Sequence, residues 1–156
     1  MKQYFQDAKE ELKRVDHLIY VSLKYTRTVD VLKNVLERMI NFYEIIINGK
    51  LEELKELRKI DEVPAQPVKK CEQLLLLTHN DAQINIQIKE VIKNYLRFRK
   101  LLRSDFDSIN EYRRHVAFIA HTDDEGDVEI HIDFVTYHYK FMQTLIDDFV
   151  KIDEQE

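Results

Sequence analysis

The sequence predicts an all-α protein, an antiparallel bundle of about five helices with a small β-hairpin, at about residues 115–132, before the last helix. Apolar residues recur at spacings of three and four through most of the chain, which is typical of helices that bury one face. The 156 residues include only two glycines and two prolines, too few for the frequent turns of an all-β protein. Because 44% of the residues are apolar, we expect one core and a single domain over residues 1–156.

Two long helices are predicted at the start of the chain. The first covers residues 2–25, where Phe5, Ala8, Leu12, Val15 and Ile19 form its buried stripe. The second begins after a possible cap at Thr28 and runs to Ile47, and Asn48-Gly49 is expected to end it. The link between the two helices is short, so they should fold back on each other as a hairpin.

Two shorter helices are predicted next. Residues 51–60 have a thin apolar stripe and are expected to form a connecting helix, which ends at the prolines of residues 62–67. Pro67 is well placed in the first turn of the following helix. That helix should be deeply buried, because Leu74–Leu77 leave almost no polar side. Cys71 lies on the same helix and is expected to be a core residue.

The last two helices have clear inward stripes. Asn80 or Asp81 can cap the first of them, whose stripe consists of Ile84, Ile88, Val91, Ile92, Tyr95, Phe98 and Leu102. The final helix is expected from Asp133 to Ile152, with the last four residues frayed. His138 lies on its inner face, where a core histidine satisfied by one hydrogen bond is expected.

The residues before the last helix alternate with a period of two, which predicts the hairpin. A loop of Asp124-Glu125-Gly126, with Gly126 in the left-handed region, gives the register. It sets Thr122 opposite Val128, Ala120 opposite Ile130 and Phe118 opposite Ile132. The alternative is one helix over residues 123–152, which would hold Gly126 and a β-branched run in its first turns.

A row of cations is predicted on the helix that begins after Asn80 or Asp81. Lys93, Arg97 and Lys100 fall at i, i+4 and i+7, so they share one face, and Arg103 lies one turn further on. We call these four residues the basic ridge. Such a ridge can track a row of phosphates, which makes the four residues candidate nucleic-acid contacts. The alternative is an ordinary solvated helix face, because most of the nearby aromatic residues belong to the core stripe.

The predicted hairpin carries the opposite charge. Six acidic residues and no Lys or Arg occur in residues 123–133. We therefore expect a homodimer in which the acidic hairpin of one copy meets the basic ridge of the other, unless the hairpin is simply a polar turn. The whole chain has 24 basic and 29 acidic residues, a net charge of -5, which does not indicate a protein that coats nucleic acid as a whole.

Histidines and carboxylates gather on the outer face of the predicted hairpin. They are His115, His121, Glu129, His131 and Asp133, and the register places His121 across from Glu129. Imidazoles and carboxylates can together hold a divalent metal. Nothing matches a recognised metal-site spacing, so we predict a solvated strand face, no metal and no cofactor.

The first third of the chain, KEELKRVDHLIYVSLKYTRTVDVLKNVLERMINFYEIII, resembles the opening helices of HEPN-type domains. The resemblance implies a helical bundle that dimerises. It also implies ribonuclease activity through an arginine and a histidine separated by a short spacer. Arg114 and His121, with six residues between them, fit that spacing and are the candidate catalytic residues. The family carries this motif on a helix, whereas we expect these two residues on a strand.

Two functional hypotheses follow from the sequence. The first is a non-enzymatic module that assembles with itself or a partner, because little visible chemistry accompanies the bundle. The alternative is a HEPN-like RNA-binding protein or metal-independent ribonuclease, with Arg114 stabilising phosphate charge and His121 as acid or base. Phosphate loops are excluded, since Gly49 and Gly126 are isolated. No apolar run would span a bilayer and the N-terminus is charged, so we expect a cytoplasmic protein without a membrane partner.

Overall fold

A computed structural model describes residues 1–77 and 81–155, and this part of the chain forms five helices and one three-stranded sheet. The first helix, α1, comprises Gln3–His17, a π-helical turn Leu18–Ser22 and a last turn Leu23–Tyr25. The others are α2 (Val29–Glu56), α3 (Pro67–Leu76), α4 (Ala82–Arg103) and α5 (Ile132–Gln155). The strands β1 (Asp105–Ile109), β2 (Ala117–Thr122) and β3 (Gly126–Ile130) precede α5. The mostly helical prediction is therefore confirmed, but the sheet has three strands instead of two.

The helix α2 lies at the centre of the molecule and contacts each of the other four helices. The apolar stripes predicted from the sequence meet around it in one core, which contains Leu12 of α1, Leu36 of α2, Val91 of α4 and Leu145 of α5. Burial of these stripes is the main source of stability for such a fold. Within the described residues, no helix combines the length and apolar content needed to cross a membrane.

The predicted end of the second helix at Asn48-Gly49 is wrong. The helix α2 continues to Glu56, so the connecting helix predicted over residues 51–60 is largely its last turns. A Cβ atom at Gly49 would overlap the ring of Tyr4, whose hydroxyl donates a hydrogen bond to Glu53 Oε1 at 2.8 Å. The glycine thus allows α1 to pack closely on α2, and this tertiary contact outweighs its weak helix propensity.

The helix caps predicted at Thr28 and Asp81 are confirmed. Thr28 Oγ1 accepts a hydrogen bond from the backbone N–H of Val31 at 3.3 Å. The Asp81 carboxylate accepts from the backbone N–H groups of Gln83 and Ile84 at 2.8 and 3.2 Å. Asn80, the alternative cap, lies outside the described residues. In α5 the cap is His131, whose Nδ1 accepts from the N–H of Phe134 at 3.1 Å.

The burial predicted for α3 is only partly correct. Pro67 stands in its first turn and Cys71 is buried, as predicted. Leu74 is also buried, but Leu75 and Leu76 are 50% and 79% exposed. The reason is that α3 packs against α2 and α4 on one side, so the rest of its apolar surface faces solvent. The last helix is longer than predicted, since α5 continues through Gln155 instead of fraying over its last residues.

The three strands are antiparallel in the order β1-β2-β3. The predicted register between β2 and β3 is wrong by two residues: Thr122 lies opposite Gly126, Ala120 opposite Val128 and Phe118 opposite Ile130. The loop is therefore residues 123–125, and Gly126 begins β3 in the left-handed region, with φ +71°. A shift of two keeps each side chain on its face, so Phe118, Ala120 and Ile130 are buried together as expected.

The strand β2 packs the sheet against α2 and α4, and β1 adds one aromatic side chain to this contact. Phe106 packs edge to face with Phe118 of β2, with ring centroids 5.9 Å apart. The Lys33 ammonium group of α2 lies 3.2 Å from the centre of the Phe106 ring. Burial lowers the pKa of Lys33, against the attraction of Asp30. These contacts place β1 over α2 although most of the strand is exposed.

Candidate functional site

A cleft lies where α4, α5 and the turn between β2 and β3 meet. Its volume is about 690 Å³, which is within the usual range of ligand sites. We call it the α4–α5 cleft. Its lining residues are Glu90, Lys93, Asn94, Leu96, Arg97 and Lys100 from α4, Asp124 and Glu125 from the turn, and Tyr137, His138 and Phe141 from α5.

The cleft brings together three residues of the predicted basic ridge. Lys93, Arg97 and Lys100 all line it, which agrees with their spacing along one face of α4. Lys93 is exposed, whereas Arg97 and Lys100 are partly buried. Arg103 does not line the cleft; it is exposed, and its Nε donates to the backbone oxygen of Arg99 at 3.2 Å. Three of the four predicted contacts therefore converge on one site.

The acidic turn supplies counterions to this site within the same chain. Arg97 Nε lies 3.1 Å from Glu125 Oε1, and Lys100 Nζ lies 2.9 Å from Asp124 Oδ1 and also contacts Glu125. These hydrogen bonds to Lys100 lower the pKa of both Asp124 and Glu125. Burial disfavours the Lys100 ammonium ion, but its bonds to Glu125 and Asp124 outweigh this and raise its pKa.

These ion pairs bear on the predicted contact between two copies. The sequence predicts that the acidic hairpin meets the basic ridge of a neighbouring copy, whereas the structure shows groups of the hairpin and the ridge paired within one chain. Ion pairs exposed to this degree contribute about 1 kcal/mol or less each. A competing anion, from a ligand or a partner, can therefore displace the turn from Arg97 and Lys100 at small cost. Self-association itself stays a prediction.

His138 lies at the inner side of the cleft. It packs against three aromatic rings, Phe98, Phe134 and Tyr137, at centroid distances of 4.8, 4.6 and 5.1 Å. Burial, with a smaller effect from the charge of Arg97, lowers the pKa of His138 to about 4, so the imidazole is neutral at pH 7. The prediction that it faces inward is confirmed, but its Nδ1 has no hydrogen-bond partner among the described residues.

The arrangement is suited to binding a negatively charged group. The cations of α4 can neutralise such a group, and the neutral ring of His138 has one N–H that can donate a hydrogen bond to it. Tyr137, 69% exposed, and Phe141 offer apolar surface beside the charged side chains. Because His138 is neutral, the charged lining consists of three cations, Lys93, Arg97 and Lys100, and three carboxylates, Glu90, Asp124 and Glu125. Binding of an anion therefore requires displacement of the acidic turn from Arg97 and Lys100.

No protein-family model matches the sequence, and no curated protein or solved structure shows significant similarity to it.

The candidate catalytic histidine lies elsewhere, on the exposed face of the sheet. His121 Nδ1 is 2.7 Å from Asp127 Oδ1 of β3, and its Nε2 is 2.9 Å from Asp107 Oδ2 of β1. The predicted neighbour, Glu129, lies opposite Ile119 instead. The hydrogen bond to Asp127, followed by that to Asp107, raises the pKa of His121. His121 thus ties the three strands together.

The structure places the two candidate catalytic residues at different ends of one strand. Arg114 is exposed in the turn before β2, and His121 is the fifth residue of β2. Since an extended strand rises about 3.3 Å per residue, the strand alone separates them by about 13 Å. Both ring nitrogens of His121 are already engaged by carboxylates. Cleavage of RNA by Arg114 and His121 stays a prediction, because the positions of the two residues do not test it.

The histidines and carboxylates of the sheet do not form a metal site. Within residues 1–77 and 81–155, no group of three or more His, Cys, Asp or Glu side chains has an arrangement that could hold a metal ion. His131, one of the residues expected on this face, caps α5 instead. Cys71 also offers no reactive group, because burial raises the pKa of its thiol to about 11.

Proposed function

We propose that this chain is a non-enzymatic interaction module that binds a negatively charged group of its partner in the α4–α5 cleft. The observation that carries the proposal is the convergence of Lys93, Arg97 and Lys100 on one recess of about 690 Å³, above a neutral buried histidine. The acidic counterions of Arg97 and Lys100 belong to a surface turn and can be exchanged for the negative charge of a ligand. Phosphate and carboxylate groups are the anions that such side chains recognise in proteins.

Binding is favoured over catalysis by the side chains around the cleft. None of the described residues that line it is a serine, threonine or cysteine, so a covalent nucleophile of these types is not at hand. His138 has a pKa of about 4, which leaves it a weak base at pH 7 and far from the value that suits acid–base catalysis there. A recess that has cations but lacks an acid and a base with pKa values suited to catalysis at pH 7 is better suited to binding a ligand than to converting it.

Thermal unfolding with inorganic pyrophosphate tests this proposal at constant ionic strength. A ligand that binds only the folded state stabilises it, so the melting temperature should rise by a few °C and level off as pyrophosphate is added. The variants Arg97→Gln and Lys100→Gln should lose most of that rise, each compared with its own value in sodium chloride.

Arg103→Gln is the matched control, because Arg103 lies on the same helix but outside the cleft. It should respond to pyrophosphate like the unaltered protein. An equal rise in all four proteins would show that binding does not use the cleft, and no rise in the unaltered protein would remove the proposal.

A further inference from the structure

A second charged surface lies at the other end of the sheet from the α4–α5 cleft. The loop between β1 and β2 packs there against the link between α1 and α2. The Tyr112 N–H donates to the backbone oxygen of Arg27 at 2.6 Å, and the Glu111 carboxylate accepts from the N–H of Val29 at 3.2 Å. The six residues of β2, about 20 Å of extended chain, separate this loop from the turn at the cleft.

Two tyrosines in these segments are largely exposed to solvent. Tyr25, at the end of α1, is 82% exposed, and Tyr112, in the loop, is 79% exposed. Within the described residues neither ring packs against another aromatic ring. Tyr112 also has a φ of +65°, a conformation that costs a tyrosine free energy and that glycine adopts without strain. The fold therefore holds an aromatic ring outward at a position where glycine would avoid the backbone strain.

Cations surround the two tyrosines along the chain. Lys24 and Arg27 flank Tyr25, and Arg113 and Arg114 follow Tyr112. Among the residues that the structure describes, none of these four cations forms an ion pair, in contrast to Arg97 and Lys100 in the cleft. Of the nearby acidic residues, Glu111 is engaged at the start of α2. The four cations outnumber the acidic residues near them in the sequence, Asp30 and Glu111, so this surface keeps a net positive charge.

We propose that this surface, formed by Lys24, Tyr25, Arg27, Tyr112, Arg113 and Arg114, binds single-stranded nucleic acid. Exposed aromatic rings stack on unpaired bases, and unpaired cations beside them attract the phosphates. A purely acidic peptide would use the cations but would gain little from two rigid tyrosine rings. Duplex nucleic acid would leave the rings unused, because its bases are already stacked.

Fluorescence anisotropy on the full chain tests this inference, with labelled RNA and DNA single strands of about ten nucleotides and a labelled poly-glutamate peptide. The key variant is Tyr112→Gly, which removes the ring and also relieves the backbone strain. It should weaken binding of the single strand roughly tenfold while the melting temperature stays equal or rises. Tyr25→Ser should weaken binding to a similar degree, and affinity should fall as salt is raised.

Two matched controls separate this surface from other causes. Tyr137→Ser removes an exposed tyrosine from the α4–α5 cleft, and Arg58→Gly relieves the strain of another residue with positive φ, at +59°, outside this surface. Both should bind the single strand as the unaltered protein does. Binding of RNA alone, DNA alone or both supports the inference and tells which nucleic acid is preferred.

Three results would overturn it: no binding of either strand, binding that Tyr112→Gly and Tyr25→Ser leave unchanged, or equally tight binding of the poly-glutamate peptide. The same variants distinguish failure of the nucleic-acid proposal from failure of the proposal that the α4–α5 cleft binds an anion. Tyr112→Gly should keep the full stabilisation by pyrophosphate, and Arg97→Gln should keep full affinity for the single strand.

Discussion

His121 lies on the exposed face of the sheet between Asp107 and Asp127, whereas His138 lies beneath the α4–α5 cleft among aromatic rings. The two carboxylates raise the pKa of His121, and burial lowers that of His138 to about 4. The inward position of His138 follows from its place on the helical stripe of α5. The neighbours of His121 do not follow from the sequence, because they depend on the register and on a third strand.

The ion pairs of His121 predict a pH dependence of stability. The folded-state pKa is raised above that of the unfolded chain, about 6.5. The stabilisation is therefore fully present below that value and is lost as the pH rises through the folded-state pKa. Asp107→Asn should lower the melting temperature more at about pH 5.5 than at about pH 8.5.

The control for this prediction is Glu129→Gln, which removes a neighbouring carboxylate that lies opposite Ile119 and not His121. Its effect on the melting temperature should be the same at both values of pH. If Asp107→Asn shows no pH dependence either, the link between β1 and β2 through His121 does not operate in solution.

At the scale of elements, periodicity predicted the helices well because each buries one face. Thr28, Pro67 and Asp81 marked helix starts correctly, since caps and first turns depend on local chemistry. The end of α2 was missed because Gly49 has a tertiary role in contact with Tyr4. The strand β1 was missed because its only two apolar residues, Phe106 and Ile109, are three positions apart and lie on opposite faces, so the segment shows no alternation of apolar and polar residues.

The contact between Gly49 and Tyr4 gives a prediction for α2. By propensity alone, Gly49→Ala should stabilise a helix interior by about 1 kcal/mol. Because the added methyl group would overlap the Tyr4 ring, we expect destabilisation instead, by about 1–3 kcal/mol. Urea unfolding measures it, and the double variant with Tyr4→Ala should recover the cost of the overlap. A stabilised Gly49→Ala protein would show that Tyr4 does not pack against this turn.

At the scale of the whole molecule, the sheet separates two surfaces of different character. The α4–α5 cleft lies at the end of the sheet with the acidic turn, and the tyrosine-containing surface lies at the other end. The spacing of the basic ridge could be predicted from the sequence, but its pairing with Asp124 and Glu125 could not. That pairing joins residues more than twenty positions apart and depends on how the hairpin folds back on α4.

The most direct test of the cleft proposal is a nuclear magnetic resonance titration of the protein with inorganic pyrophosphate, observing the His138 ring and the Arg97 Nε–H. Both groups line the cleft. The proposal predicts that both signals shift and saturate with the same dissociation constant, while the His121 ring, on the exposed face of the sheet, stays unchanged. Signals of His138 and Arg97 that do not move, or that drift without saturation, would contradict anion binding in the α4–α5 cleft.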